Sequence, residues 1–118
     1  QMDEEFFKIP GATADAINSA KSDGRRIIAV GTTVTRALET AAKNRTVKTC
    51  EGNSSIFIYP GHIFNIVDIL VTNFHMPGST PIMLASAFSE LTLLKKAYSI
   101  AQQEGYRFYS YGDAMLII

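Results

Sequence analysis

Cysteine is almost missing from this chain: Cys50 stands alone, so no disulfide can close within it, and that scarcity suits a reducing compartment. Long apolar runs are missing too. None approaches the roughly 20 residues that cross a bilayer, and the opening QMDEEFF has neither a basic start nor an apolar signal core. A soluble cytoplasmic protein with no membrane partner is expected. Net charge is also absent, eleven basic side chains balancing eleven acidic ones, so the domain as a whole has no electrostatic signature of a nucleic-acid binder. Any polyanion site must be local. No internal repeat, linker or low-complexity segment interrupts the chain. The two histidines, His62 and His75, lack helical i, i+4 spacing and have no cysteine pair beside them, so no metal site is expected.

What is present is one ordinary globular composition: 118 residues, 47% apolar and 19% charged. A chain of this size buries roughly two-thirds of its unfolded surface and needs no staple. Phe6, Phe7 and Ile9 form a short apolar stretch in want of a sheet, ended by Pro10 and Gly11. Thr13 is placed as the N-cap of a helix with Ala16, Ile17 and Ala20 on one face and Gly24 beyond its end. Arg26 to Val30 reads as a buried strand. After Gly31-Thr32-Thr33, the positions of Val34, Ala37, Leu38, Ala41 and Ala42 predict an amphipathic helix. Thr46 to Ser55 is polar and reads as a loop, Ile56 to Tyr59 as a second strand, and Ile66 to Val71 as a third, broken only by Asp68. Ser79 or Thr80 caps a further helix, with Pro81 in its first turn and an apolar surface all round. Leu91, Leu94, Ala97, Tyr98 and Ala101 mark a last helix, and Met115 to Ile118 a final core strand. Strands alternating with helices give an α/β layered domain with a mostly parallel sheet. Ligands of such sheets bind beyond the carboxyl ends of the strands.

Two turns lie at such ends. Gly31-Thr32-Thr33 can bring backbone N–H groups and hydroxyls to an anion at a helix N-terminus, with Arg36 one turn in. The plainer reading is a glycine that permits the turn and a threonine that caps the helix. Its spacing is neither a Walker loop nor a dinucleotide fingerprint. His75, in TNFHMPGSTP, has the near-neutral pKa of a general acid or base, with Asn73 to orient it or hold substrate. The plainer reading is a structural histidine bonded to a backbone carbonyl. Tyr106-Arg107-Phe108-Tyr109-Ser110-Tyr111-Gly112-Asp113 offers rings on which a splayed-out base could stack and a carboxylate to serve as base or acceptor. Rings in an α/β protein are as a rule core, and Asp113 suits an Asx turn. The run is no nucleophile elbow, lacking the glycine two residues before its serine. Glu39 and Lys43, at i, i+4, are expected on a solvated helix face.

Together, Val30-Gly31-Thr32-Thr33, Phe57-Ile58-Tyr59-Pro60-Gly61, Val67-Asp68, Thr72-Asn73-Phe74-His75-Met76-Pro77, Ser86-Ala87-Phe88 and Tyr106 to Met115 follow the order and near spacing of one family. The chain resembles the C-terminal portion of the S-adenosylmethionine:tRNA ribosyltransferase-isomerases of queuosine biosynthesis. That resemblance implies the α/β part of a two-domain enzyme without its small β-barrel. The implied reaction moves the ribosyl group of S-adenosylmethionine onto 7-aminomethyl-7-deazaguanine at the tRNA wobble position, giving epoxyqueuosine with loss of adenine and methionine. S-adenosylmethionine is then a co-substrate rather than a resident cofactor. The partners implied are tRNA, S-adenosylmethionine and the remainder of the parent chain, the parent being a monomer and the fragment inactive alone. On this basis His75 and Asp113 are the catalytic candidates. Gly31, Thr32, Thr33, Arg36, Tyr59, Asn73, Tyr109 and Tyr111 are the substrate-binding candidates, the Gly31 turn taking the methionine carboxylate or a tRNA phosphate. The competing class is a binding module for S-adenosylmethionine or tRNA without catalysis. The sequence departs from the family pattern at Met2-Asp3, where Met-His is common, and at Glu90-Leu91-Thr92, where Gly-Arg-Glu often follows Ser-Ala-Phe.

Overall fold

The computed structural model describes residues 4–76, 79–109 and 112–118. Along it run β1 (Glu5–Ile9), α1 (Gly11–Ser22), β2 (Ile28–Val30), α2 (Thr32–Ala41), β3 (Cys50–Ser54), β4 (Ile69–Asn73), α3 (Thr80–Phe88), α4 (Leu91–Gln103) and β5 (Ala114–Ile117). Strands β2, β4 and β5 form one sheet in the order β2-β4-β5, while β1 and β3 pair separately and antiparallel. The α/β class is as expected, but the sheet is mixed. Strand β2 runs parallel to β4, and β5 runs antiparallel to it. Two successive helices explain the reversal: α3 leads away from the end of β4 and α4 returns, so that Tyr109 N donates to Phe74 O at 2.9 Å and β5 must run back.

Several boundaries differ from the sequence reading for identifiable reasons. Helix α1 starts two residues before Thr13, behind Pro10, whose φ of −65° and extended ψ lead straight into the helix. Its buried face is Ala14, Ile17 and Ala20, and Ala16 is exposed. Strand β2 is an edge strand whose Ile28 and Val30 are exposed, rather than a buried strand. The polar stretch CEGNS is strand β3, because β1 needs a backbone partner and pairing makes no demand on side-chain polarity. Ile56 to Tyr59 is no strand. Ile58 is buried and Phe57 and Tyr59 exposed, so the alternation is real, but Ile56 O accepts from Arg36 Nε at 3.1 Å instead of from a strand.

Glu39 produces the largest difference. Helix α2 buries Thr35, Arg36, Leu38 and Glu39, while Val34 is exposed. The side chain of Glu39 is fully buried. Its Oε2 accepts the N–H groups of Ile66 and Val67 at 2.9 and 3.1 Å, and its Oε1 accepts the N–H of Asn65 at 2.9 Å and meets His62 Nε2 at 3.1 Å. Glu39 is therefore not on a solvated face with Lys43. It holds the segment before β4, and with those N–H groups taken the strand begins at Ile69 rather than Ile66. Asp68 fixes the same corner, accepting from Ile27 N at 2.8 Å and Lys21 Nζ at 3.1 Å.

Two apolar clusters make the core. One gathers Ile9, Ile17, Leu38, Val47 and Ile66 around α1 and α2, and the other gathers Ile58, Leu70, Leu84, Leu94 and Ile117 around α3 and α4. Phe64 and Phe88, ring centroids 4.1 Å apart, pack against both. All the cluster residues of β2, β4 and β5 lie on one face of their sheet. Register puts Val30, Val71 and Leu116 side by side on the other, where Val30 is 68% and Leu116 59% exposed.

Candidate functional site

Strands β2 and β4 are parallel neighbours in the register Val30↔Val71, so the chain leaves both at the same edge of the sheet. Gly31 N donates to Val71 O at 2.8 Å, which ties the two exits together. The turns read from the sequence as site candidates are thus adjacent. Gly31 is the N-cap of α2 with φ 100°, a conformation that strains any L side chain. No side chain caps the helix. The Thr35 hydroxyl instead donates to Gly31 O at 3.0 Å, leaving Thr32 and Thr33 turned to a cleft of about 350 Å³.

Thr80 and Pro81, in the first turn of α3, line the same cleft, so two helix N-terminal turns converge on it. Ser79 is the N-cap of α3, and its hydroxyl oxygen is buried with no hydrogen-bond partner among the described residues. Arg36 is buried at 3% exposure, its Nη2 donating to Ser54 O at 3.1 Å. Its Nη1 donates to Glu5 Oε1 at 2.5 Å, and Glu5 Oε2 accepts from the Thr33 hydroxyl at 3.1 Å. Glu5 was not foreseen. It follows Glu4 at the start of β1 with no motif around it, and only the bonds from Arg36 and Thr33 of α2 bring it to the cleft.

Beyond β4, the imidazole of His75 is half-buried, its Nε2 2.6 Å from the Thr72 hydroxyl, while its backbone N–H donates to Tyr98 OH at 2.7 Å. Burial lowers the His75 pKa below its ordinary value and so favours the neutral ring. Burial likewise raises the Tyr98 pKa, opposed by the hydrogen bond from the His75 N–H. The His75 ring therefore meets a side-chain hydroxyl, not the backbone carbonyl of the plainer reading. Tyr98 also lines a larger, mainly apolar cleft of about 630 Å³ together with Ile82, Met83, Leu91, Phe108 and Tyr109.

The aromatic run divides. Phe108 and Tyr106 pack on Phe74, at ring-centroid distances of 4.8 and 6.1 Å, and belong to the wall of the fold. Tyr109, at φ 72° and half-exposed, faces the larger cleft, and its carbonyl accepts from Asn73 Nδ2 at 3.0 Å. Asp113 Oδ2 accepts the Arg107 N–H at 2.8 Å, while Asp113 N donates to Arg107 O at 2.8 Å. Gly112 permits that closure, since a Cβ there would lie 2.6 Å from Arg107 O. Asp113 precedes Ala114, which pairs with Asn73, so it stands on the same rim as His75 without a hydrogen bond to it among the described residues. Tyr59 is exposed, pairs with Phe57 at 5.3 Å, and lines neither cleft. Tyr111 lies outside the described residues. Among the described residues no group of three or more His, Cys, Asp or Glu side chains could hold a metal, and no helix is long and apolar enough to cross a membrane.

The smaller cleft lies beyond the carboxyl end of β2 in an α/β domain, the place where such sheets as a class bind ligands. Comparison narrows the class. A family model described as "Queuosine biosynthesis protein" matches residues 1–117, and the chain belongs to that family. It is 54% identical over 120 residues to an S-adenosylmethionine:tRNA ribosyltransferase-isomerase of Heliobacterium modesticaldum, covering 100% of this chain and 35% of that protein. A protein of the same name from Nitrobacter winogradskyi is 55% identical over 118 residues, covering 99% of this chain and 33% of its own. The crystal structure of an S-adenosylmethionine tRNA ribosyltransferase from Thermotoga maritima superposes with a TM-score of 0.89 at 44% identity, over 96% of this chain and 40% of that one. The chain spans about a third of the length of the curated relatives it matches.

Proposed function

We propose that this chain is part of a tRNA-modifying enzyme that transfers and isomerises the ribosyl group of S-adenosylmethionine onto 7-aminomethyl-7-deazaguanine at the tRNA wobble position, giving epoxyqueuosine. The observation that carries the reading is identity above 50% over essentially the whole chain to proteins of that named activity. A proton must leave the carbon beside the sulfonium, adenine must depart, and an amine must attack the sugar, all of which need acid–base groups at a cleft shielded from water. On this reading His75, neutral and held by Thr72, is the base, and Asp113 is the second proton-handling group; both stand on the rim beyond β4, and neither lines either of the two clefts. Neutral imidazole accepts a proton at Nδ1 while Thr72 holds Nε2. Asn73 fixes the Tyr109 carbonyl and so shapes the rim. Tyr109 and Tyr111 give a base a face to stack on, Tyr59 contacts the nucleic acid from the outer surface, and the Gly31-Thr32-Thr33 turn takes an anionic group of the substrate. Arg36 acts from beneath through Glu5 and Thr33 rather than by direct approach.

The whole protein works in the cytoplasm on tRNA as a monomer, and the chain alone is inactive. The exposed apolar side chains of Ile28, Val30 and Leu116 on one face of the sheet support only the last point, since these side chains need further chain to cover them. The relatives have about twice as much further chain with which to cover that face. Adenine release from S-adenosylmethionine with modified-base tRNA, measured for the whole protein and for these 118 residues, is the test. Activity in the whole protein alone is the expected result. Binding of S-adenosylmethionine or tRNA by the whole protein without adenine release would select a non-catalytic binding module instead.

A further inference from the structure

A free anion entering the smaller cleft meets a difficulty that the sequence does not show. The position beside the first turn of α2 already holds a carboxylate. Glu5 lies against the Arg36 guanidinium with one oxygen and the Thr33 hydroxyl with the other. Arg36 is further bound to Ser54 O and Ile56 O, so its charge is matched from within the protein. The Glu5 side chain is nonetheless 39% exposed, against 4% for Arg36. Its carboxylate is thus clamped from below and reachable from the cleft above, with lone pairs left for a donor.

Such an arrangement offers a bare phosphate no unmatched cation, and offers its exposed carboxylate oxygens to a ligand that brings its own cation. We propose that Glu5 makes this cleft selective for a zwitterionic α-amino-acid end, its carboxylate receiving the α-ammonium group while the Thr32 and Thr80 side of the cleft receives the α-carboxylate. The inference rests on the enzyme reading above, in which the ligand with such an end is S-adenosylmethionine. It decides between the two anions that the Gly31 turn could take, in favour of the methionine carboxylate over a tRNA phosphate. Glu5 is accordingly a specificity-determining residue, and Arg36 and Thr33 position it.

The test uses the whole protein that carries this chain, with calorimetric titration of three probes: S-adenosylmethionine, its analogue lacking the α-amino group, and inorganic phosphate. Glu5→Gln removes the charge and keeps an acceptor for Arg36. S-adenosylmethionine should bind roughly tenfold or more weakly to the variant, the size of one lost charge-assisted hydrogen bond. The deaminated analogue should bind both proteins alike, which also shows that the variant is folded, and phosphate should bind the variant more tightly than the wild type. A merely structural Glu5 would weaken both organic ligands together and gain nothing for phosphate. Equal S-adenosylmethionine affinity in both proteins, or parallel loss of both organic ligands, overturns the proposal and leaves the enzyme reading untouched. Glu5-dependent binding without adenine release by the wild type sinks the enzyme reading and leaves the subsite. No S-adenosylmethionine binding by the wild type overturns both.

Discussion

Glu39→Ala is the substitution on which the structure makes its sharpest demand. It removes both oxygens and leaves four former partners: the N–H groups of Asn65, Ile66 and Val67, and His62 Nε2. Ile66 and Val67 are 0% and 2% exposed, so water does not replace the lost acceptor there. Each buried donor left unpaired costs about 1–3 kcal/mol, and with two of them the loss should be about 3 kcal/mol or more. Glu39→Gln keeps one oxygen for Ile66 and Val67 and turns its amide towards Asn65 and His62. One N–H is then left without an acceptor, a cost of about 1–3 kcal/mol. Lys43→Ala is the control and should stay within about 0.5 kcal/mol of wild type. Urea unfolding of the three variants measures the series, with m-values compared to confirm that the same surface is exposed. Native-state hydrogen exchange should show faster exchange at the Ile66 and Val67 amides in both Glu39 variants. A Glu39→Ala protein within 0.5 kcal/mol of wild type, or matched by Lys43→Ala, would refute the reasoning and return Glu39 to a solvated helix face.

Other outcomes follow from the same geometry. His75→Ala in the whole protein should lower turnover at least tenfold, more than about 1.4 kcal/mol of transition-state stabilisation, with the fold intact; unchanged turnover would leave the Thr72–His75–Tyr98 group purely structural. Because burial depresses the His75 pKa below 6.5, the unfolded chain binds a proton that the folded chain resists. Its contribution to stability is fully present above that value and is lost as pH falls from it towards the depressed pKa. Urea unfolding at several pH values should show this slope flattened in His75→Gln, and an unchanged slope would count against a buried ring. Asp113→Asn keeps an acceptor for the Arg107 N–H but loses the charge, so turnover should fall about tenfold while the unfolding midpoint barely moves; full activity would remove Asp113 from the chemistry. On the open sheet face, Val30→Glu should cost more than about 2 kcal/mol in the whole protein and within about 0.5 kcal/mol in these 118 residues alone. Equal effects in both would mean that the remaining chain does not cover that face.

The sequence by itself determined the elements whose signal is local. The α/β class, the terminal strand, the proline-started helix α3 and the two turns beyond β2 and β4 follow from periodicity, capping and backbone restriction, which act over a few residues. Identity with the family was legible for the same reason, because its motifs are short runs. What only the tertiary structure decided is where polar groups find their partners. Glu39 reads as an ordinary charge on a solvated helix face and Arg36 as a side chain free to meet an anion, yet α2 buries both. Their partners at Asn65 to Val67, Ser54 and Glu5 are 18 or more positions away in sequence. The same long-range bonds moved the start of β4 and left Ile56 to Tyr59 without a strand, while backbone pairing with β1 made a strand of the polar CEGNS. Glu5 is the extreme case. No local pattern marks it, and it becomes a candidate site residue only because pairing of β1 with β3 sets its carboxylate against the first turn of α2, where a buried guanidinium and a threonine hydroxyl hold it.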